Sequence, residues 1–186
     1  MTDTADQRSG AGLLYFTCFD YRGQQDLHMA GQNNNNTVAH LDKKARRFCA
    51  YRERCTREVE RKLAMEGASS EQTANIIEQL QQEGFIDNQR FAQLFVRGKL
   101  HNNRWGTVKI RATLKEYDIP EEMIRHAVSE IDRQEYLDIL STLINKKKQE
   151  LQEKGKANIR EKTAAYCIQK GFEPHLVWEV IGNQTA

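Results

Sequence analysis

One apolar pattern occurs three times along this chain, and it constrains the fold more than any other feature. Val59, Leu63, Gly67, Ala68, Ile76, Ile77 and Leu80 make the first copy. Ile110, Leu114, Asp118, Ile119, Ala127, Val128 and Ile131 stand at the matching places of the second, and Thr163, Cys167, Gly171, Phe172, Val180 and Ile181 at those of the third. Each copy is a helix-period stripe, a tight turn and a second short amphipathic stretch. A repeat of about 50 residues marks an architecture in which each unit buries its apolar face against its neighbour. The expectation is an all-α fold of tandem three-helix, helix-turn-helix-like units, forming an elongated, curved molecule with a poorly structured N-terminal tail. Such a chain offers an extended surface, not a deep pocket.

Local signals divide the 186 residues into a low-complexity tail (1–41, with the Asn33–Asn36 run) and three repeats at 42–83, 84–132 and 133–186. Ala45, Phe48 and Tyr51 share a helical face in the first repeat, and Thr56 is placed as the N-cap of the next helix, which Gly67 ends. Ser69 or Ser70 starts a third helix that Gly84 closes. Asp87 is a good N-cap for Gln89 to Leu100, Pro120 suits a first helical turn, and a longer helix spans about Gln134 to Lys154. Phe91, Leu94, Phe95, Tyr117 and Trp178 read as core.

Composition narrows the function. Charged residues make up 29% of the chain and prolines number only 2, which suits long solvated helices around thin cores. Cys18, Cys49, Cys55 and Cys167 have no CxxC spacing and no paired histidines, so no zinc site is expected; the last three read as small core residues in a reducing compartment. No apolar run approaches the roughly 20 residues that span a bilayer, and the chain reads as cytoplasmic. His28, His40, His101, His126 and His175 are scattered, and no glycine-rich phosphate loop or nucleophile–base arrangement appears. Neither enzyme activity, metal nor cofactor is expected.

The net charge of +2 hides an uneven distribution. Residues 88–115 carry Arg90, Arg97, Lys99, Arg104, Lys109, Arg111 and Lys115 and no acidic residue. Arg97, Lys99 and Arg104 fall at the end of one helix and in its loop. Lys109, Arg111 and Lys115 alternate around Ile110 and Leu114, on the side away from the buried stripe. These six are the candidate basic patch for a filament or nucleic acid, whose polyanionic groove attracts Lys and Arg; an ordinary solvated face is the alternative. Trp105 either stacks on a base or fills a partner's pocket, or else caps the core of its own unit. A second basic group, Arg46 to Lys62, is interleaved with acids, and Glu58 is placed to pair with Lys62 at i, i+4. Lys146-Lys147-Lys148 reads as a solvated helix face.

The run Gly84 to Leu100, followed by Trp105-Gly106, Lys109-Ile110 and Leu114, resembles the central signature of the RecX family, bacterial regulators of the RecA recombinase. The resemblance covers about residues 43–182 and extends to Thr56 to Leu63, which is similar to the family's first repeat. The third repeat departs from the pattern, with Thr163 and Cys167 in place of larger aliphatic residues, and the tail has no counterpart. The resemblance implies a monomeric protein that lies in the groove of the RecA filament on single-stranded DNA. It further implies modulation, mostly inhibition, of recombinase, ATPase and coprotease activities in DNA repair and the SOS response. A helix-turn-helix-like DNA-binding protein acting without RecA is the alternative reading, although Glu121, Glu122, Glu130 and Asp132 make the second unit's last helix acidic where a reader should be basic. A pure protein-interaction scaffold is a third.

Overall fold

The computed structural model describes residues 37–183. The expectations for the first 36 residues, including the tail's lack of structure and Cys18, lie outside the described residues. All regular structure among the described residues is helical: α1 (37–51), α2 (Thr56–Met65), α3 (Ser70–Gln82), α4 (Asn88–Asn103), α5 (Thr107–Glu116), α6 (Glu121–Ser129), α7 (Arg133–Glu153), α8 (Ile159–Gln169) and α9 (Pro174–Asn183).

The chain's own capping chemistry sets most of these boundaries. Ser69 closes a capping box at the start of α3: its Oγ accepts from the Gln72 N–H at 3.2 Å, and Gln72 Oε1 accepts from the Ser69 N–H at 2.9 Å. Asp87 caps α4 by accepting from the Arg90 N–H at 3.0 Å, and Asp132 caps α7 through the Glu135 N–H at 2.8 Å. The cap of α2 differs from expectation. Cys55 holds that place with no side-chain bond, and Thr56 is the first helical residue. The Thr56 hydroxyl is instead engaged by Asn88, whose Oδ1 also accepts the Thr56 N–H at 3.0 Å. A long-range partner has replaced the local one. Replacing Ser69 by alanine is expected to cost about 1 kcal/mol, the usual value of such a cap, and to raise amide exchange in α3. Exchange rates equal to those of the parent would refute the role given to the box.

Two cores result. Leu41, Ala45, Cys49, Val59, Leu63, Ile76, Ile77, Leu80 and Ile86 form the first, between α1, α2 and α3. The second runs without a break through α4 to α9, from Phe91, Val96 and Leu100 to Ile110, Leu114 and Ile124, then Leu140, Ile144, Phe172 and Val177. Cys49, Cys55 and Cys167 are buried within these cores, and burial raises each thiol pKa, that of Cys167 to about 11.

Helix geometry overturns two core assignments, Leu94 and Trp178, and leaves Tyr51 exposed at the end of its expected helical face. The inward side of α4 is set by Phe91, Ala92, Val96 and Leu100, which leaves Leu94 on the far side of the helix, 48% exposed. Tyr51 ends α1 to one side of the Leu41–Ala45–Cys49 stripe and is 86% exposed. Trp178 on α9 is 41% exposed, with the Arg160 guanidinium 5.8 Å from its ring centre. The expected Glu58–Lys62 pair is also replaced. Glu58 takes Arg52 and Arg54, at 2.5 and 3.1 Å, while Lys62 turns one turn onward to Glu66 at 2.7 Å. Arg54 is the better partner because its guanidinium is already stacked on Phe48, 3.7 Å from the ring centre.

The seam between the second and third triads positions the surface that matters below. The Gly106 N–H donates to the Lys170 carbonyl and the Val108 N–H to the Gly171 carbonyl, each at 3.0 Å. Gly171 adopts φ +94° against the backbone and Cβ of Lys109. Beside this crossing the buried Tyr136 hydroxyl accepts the Thr107 N–H at 3.1 Å and donates to Glu173 at 2.7 Å. The first free N–H groups of α5 are thus satisfied by the α8–α9 turn and by α7.

Candidate functional site

The basic stretch of residues 88–115 does not form one face. On a helix, residues two apart point to opposite sides, and Arg97 and Lys99 are separated in this way. Arg97 is exposed beside Gln93, His101, Glu130 and Glu135, in an acidic groove between α4 and the α6–α7 junction. Lys99 emerges from the inward side of α4. It is half-buried, and its ammonium stands 5.1 Å from the centre of the Phe95 ring and 4.9 Å from that of Trp105.

Trp105 reaches that position because α4 stops abruptly. Arg104 takes a left-handed conformation, φ 54°, and the Trp105 N–H bonds back to the Lys99 carbonyl at 3.1 Å. The indole is half-buried against the second core. It also carries a second ammonium, that of Lys109, 4.3 Å from its ring centre. One ring thus covers the core and holds two like charges near each other. Each cation–π contact supplies about 0.5–1 kcal/mol at an exposed site, which offsets part of the repulsion between them.

Arg111 and Lys115 lie elsewhere, around Glu121 at the start of α6, at 3.7 and 2.9 Å. The Lys115 ammonium, hydrogen-bonded to Glu121, lowers the pKa of that carboxyl, with smaller help from Arg111 and Arg125. Of the six cations expected to form the patch, Lys99 and Lys109 gather on Trp105, and Arg104 precedes it at the end of α4; Arg97 is on another side, and Arg111 and Lys115 have a local carboxylate. Lys99, Arg104 and Lys109 form no ion pair with any described residue.

Lys170 is absent from the patch expected from sequence, and the Gly106–Lys170 hydrogen bond brings it beside the cluster from the end of α8. The repeat register holds the available clue, since it aligns the α8–α9 turn with the turn that follows α5. Among the described residues no group of three or more His, Cys, Asp or Glu is placed to hold a metal ion, and no helix is long and apolar enough to cross a membrane.

Three-helix units with caps at their junctions define a helical-repeat protein. Known proteins of similar sequence share that fold. Residues 87–128 match the family model for the second three-helix domain of RecX. The chain is 27% identical over 136 residues to a "Regulatory protein RecX" of Geobacillus kaustophilus, covering 73% of this chain and 51% of that protein. It is 28% identical over 134 residues to one of Oceanobacillus iheyensis, covering 72% and 49%. It thus spans about half the length of these curated relatives. The crystal structure of RecX from Lactobacillus salivarius superposes with a TM-score of 0.70 at 19% identity, over 80% of this chain and 97% of that one, and shows the same fold. A second crystal structure, of a regulatory protein RecX, gives 0.74 at 19% identity, over 85% and 77%. In sequence and fold the chain is similar to RecX regulatory proteins, and its second triad matches the second three-helix domain of that family.

Proposed function

We propose that this chain is a regulator that binds the RecA filament on single-stranded DNA and mostly inhibits its recombinase, ATPase and coprotease activities during DNA repair and the SOS response. It acts as a cytoplasmic monomer without a cofactor and without chemistry of its own. The observation that carries the reading is the Lys99–Trp105–Lys109 cluster with Arg104, whose cations lack carboxylate partners among the described residues. Unpaired cations on a rigid scaffold suit a polyanionic groove, and their counterion release makes binding fall with salt. The three-helix units set the reach of that surface along a filament.

The test is a titration of RecA's single-stranded-DNA-dependent ATPase. Inhibition is expected, weakening steeply as salt rises. A linear dependence up to equivalence with RecA would mark coating of the groove, and strong inhibition far below equivalence would mark capping of ends. ATPase and strand exchange left unchanged at stoichiometric excess would sink the reading.

A further inference from the structure

Four basic side chains from three helices converge on a cleft of about 300 Å³. Arg104 enters it from the end of α4, Lys146 and Lys147 from α7, and Lys170 from the end of α8. Tyr166 lies among them and holds two: the Lys147 ammonium is 4.7 Å from its ring centre and that of Lys170 5.7 Å. The construction repeats the one at Trp105, an aromatic ring with two lysines. A single carboxylate, Glu150, also lines the cleft. Lys154 at 2.7 Å and Lys147 at 3.0 Å bond to it and lower its pKa to about 2. Arg104, Lys146 and Lys170 form no ion pair with any described residue. Like charges drawn into one recess raise its positive potential, and an anion arriving from outside is the partner that relieves it.

The backbone adds an independent observation. The described residues with positive φ are Gly67, Gly84, Gly155, Gly171, Asp118, Asn158 and Arg104. Glycine takes this conformation without strain, and Asn and Asp tolerate it, but a long side chain meets a steric cost. Helix termination alone asks for glycine at position 104, yet the chain keeps a guanidinium there, at the mouth of the cleft.

We infer that the cleft between the end of α4, α7 and α8 is a phosphodiester site, which seats the backbone of a single-stranded nucleic acid. The Arg104 fork matches two phosphate oxygens, and Lys146 and Lys170 act as point charges beside it. Arg104 directly precedes Trp105 in the chain, and the Gly106–Lys170 hydrogen bond ties the two segments together, so the cleft and the Trp105 cluster are neighbours. Convergence on one point favours a phosphate over the acidic peptide that a row of cations would suit, and two aromatic rings set among the cations suit nucleotides. The inference rests on the filament reading for its choice of polyanion and adds direct contact with the DNA strand.

The test uses the full chain without RecA and a fluorescein-labelled oligo-dT, with binding read by anisotropy across a salt series. Arg104→Gly is expected to weaken binding on the order of tenfold, the value of one charge-assisted hydrogen bond, while its melting temperature stays at or above the parent's. Lys146→Ala/Lys170→Ala is expected to lower the log–log salt slope by about 0.7 for each phosphate no longer neutralised. Arg125→Ala, on α6, serves as the equal-charge control for Arg104→Gly and is expected to bind like the parent. Parent-like affinity and slope in both cleft variants would overturn the site, as would no binding by the parent. Displacement of the oligonucleotide by poly-glutamate at equal charge concentration would reassign it to an acidic protein segment and overturn the inference equally. Cleft-dependent oligonucleotide binding supports the site whether or not the parent inhibits RecA, so failure of the filament reading remains a separate result.

Discussion

Replacing Gly171 by alanine is expected to destabilise the α4–α9 body by about 3–5 kcal/mol and to lower its melting temperature by roughly 12–20 °C or more. Two causes add. A side chain at φ +94° is strained wherever it stands. Here the new Cβ would also press on the Lys109 Cβ and lie 2.7 Å from its backbone nitrogen, at the first turn of α5. Relief requires α5 and the α8–α9 turn to separate, which stretches the Val108–Gly171 and Gly106–Lys170 hydrogen bonds. Gly106→Ala strikes the same seam from the other side, its Cβ overlapping the Gly171 carbonyl and the Phe172 nitrogen. Its effect should be as large, and the double variant should cost less than the sum because both relieve one crossing. Gly155→Ala isolates the conformational part. Its φ is +58° with no atom within 4 Å of the new Cβ, so the expected loss is only about 1 kcal/mol. Circular-dichroism melts of the three variants decide it, and equal losses for Gly155→Ala and Gly171→Ala would show that close packing of the seam contributes nothing.

Neutralising Lys99, Arg104 and Lys109 together, each to glutamine, is expected to weaken filament binding on the order of 10²–10³-fold. Hydrogen bonds to charged groups contribute about 1.5–3 kcal/mol each, and three such bonds that share a ligand sum incompletely. The salt slope should fall by about 2 if all three touch phosphates. Arg97→Gln is the informative comparison. Arg97 belongs to the same acid-free stretch of sequence but stands beside Glu130 and Glu135 on another side of α4, and its loss should change binding by less than about twofold, the range of an exposed charge. Equal losses for Arg97→Gln and the triple variant would mean that overall charge, not the Trp105 cluster, governs binding.

Much of the helical framework is legible in the sequence because its signals are local. Ser69, Asp87 and the glycines after α2, α3, α7 and α8 act within a turn of where they stand, and a cap bonds the same N–H groups whatever lies beyond. Local signals mislead where two partners compete. Thr56 has the chemistry of a cap, but Asn88, 32 positions onward, engages its hydroxyl. Glu58 has the spacing to pair with Lys62, but Arg54 is already oriented by Phe48. Leu94 and Trp178 point inward on hydrophobicity alone, whereas the angular position set by their neighbours turns them out.

The candidate site divides along the same line. The sequence by itself determined the period of the repeat, the helix ends and the concentration of positive charge in residues 88–115, because these follow from residue type and spacing along one helix. Tertiary structure alone decided which charges act together. Lys99 joins Lys109 because the left-handed turn at Arg104 folds Trp105 between them, and Lys170 and Tyr166 join because a glycine-to-glycine crossing lets α5 meet the α8–α9 turn at backbone distance. Arg97 falls outside the patch because a helix sends residues two apart to opposite sides, and the net charge of a segment carries no record of that direction.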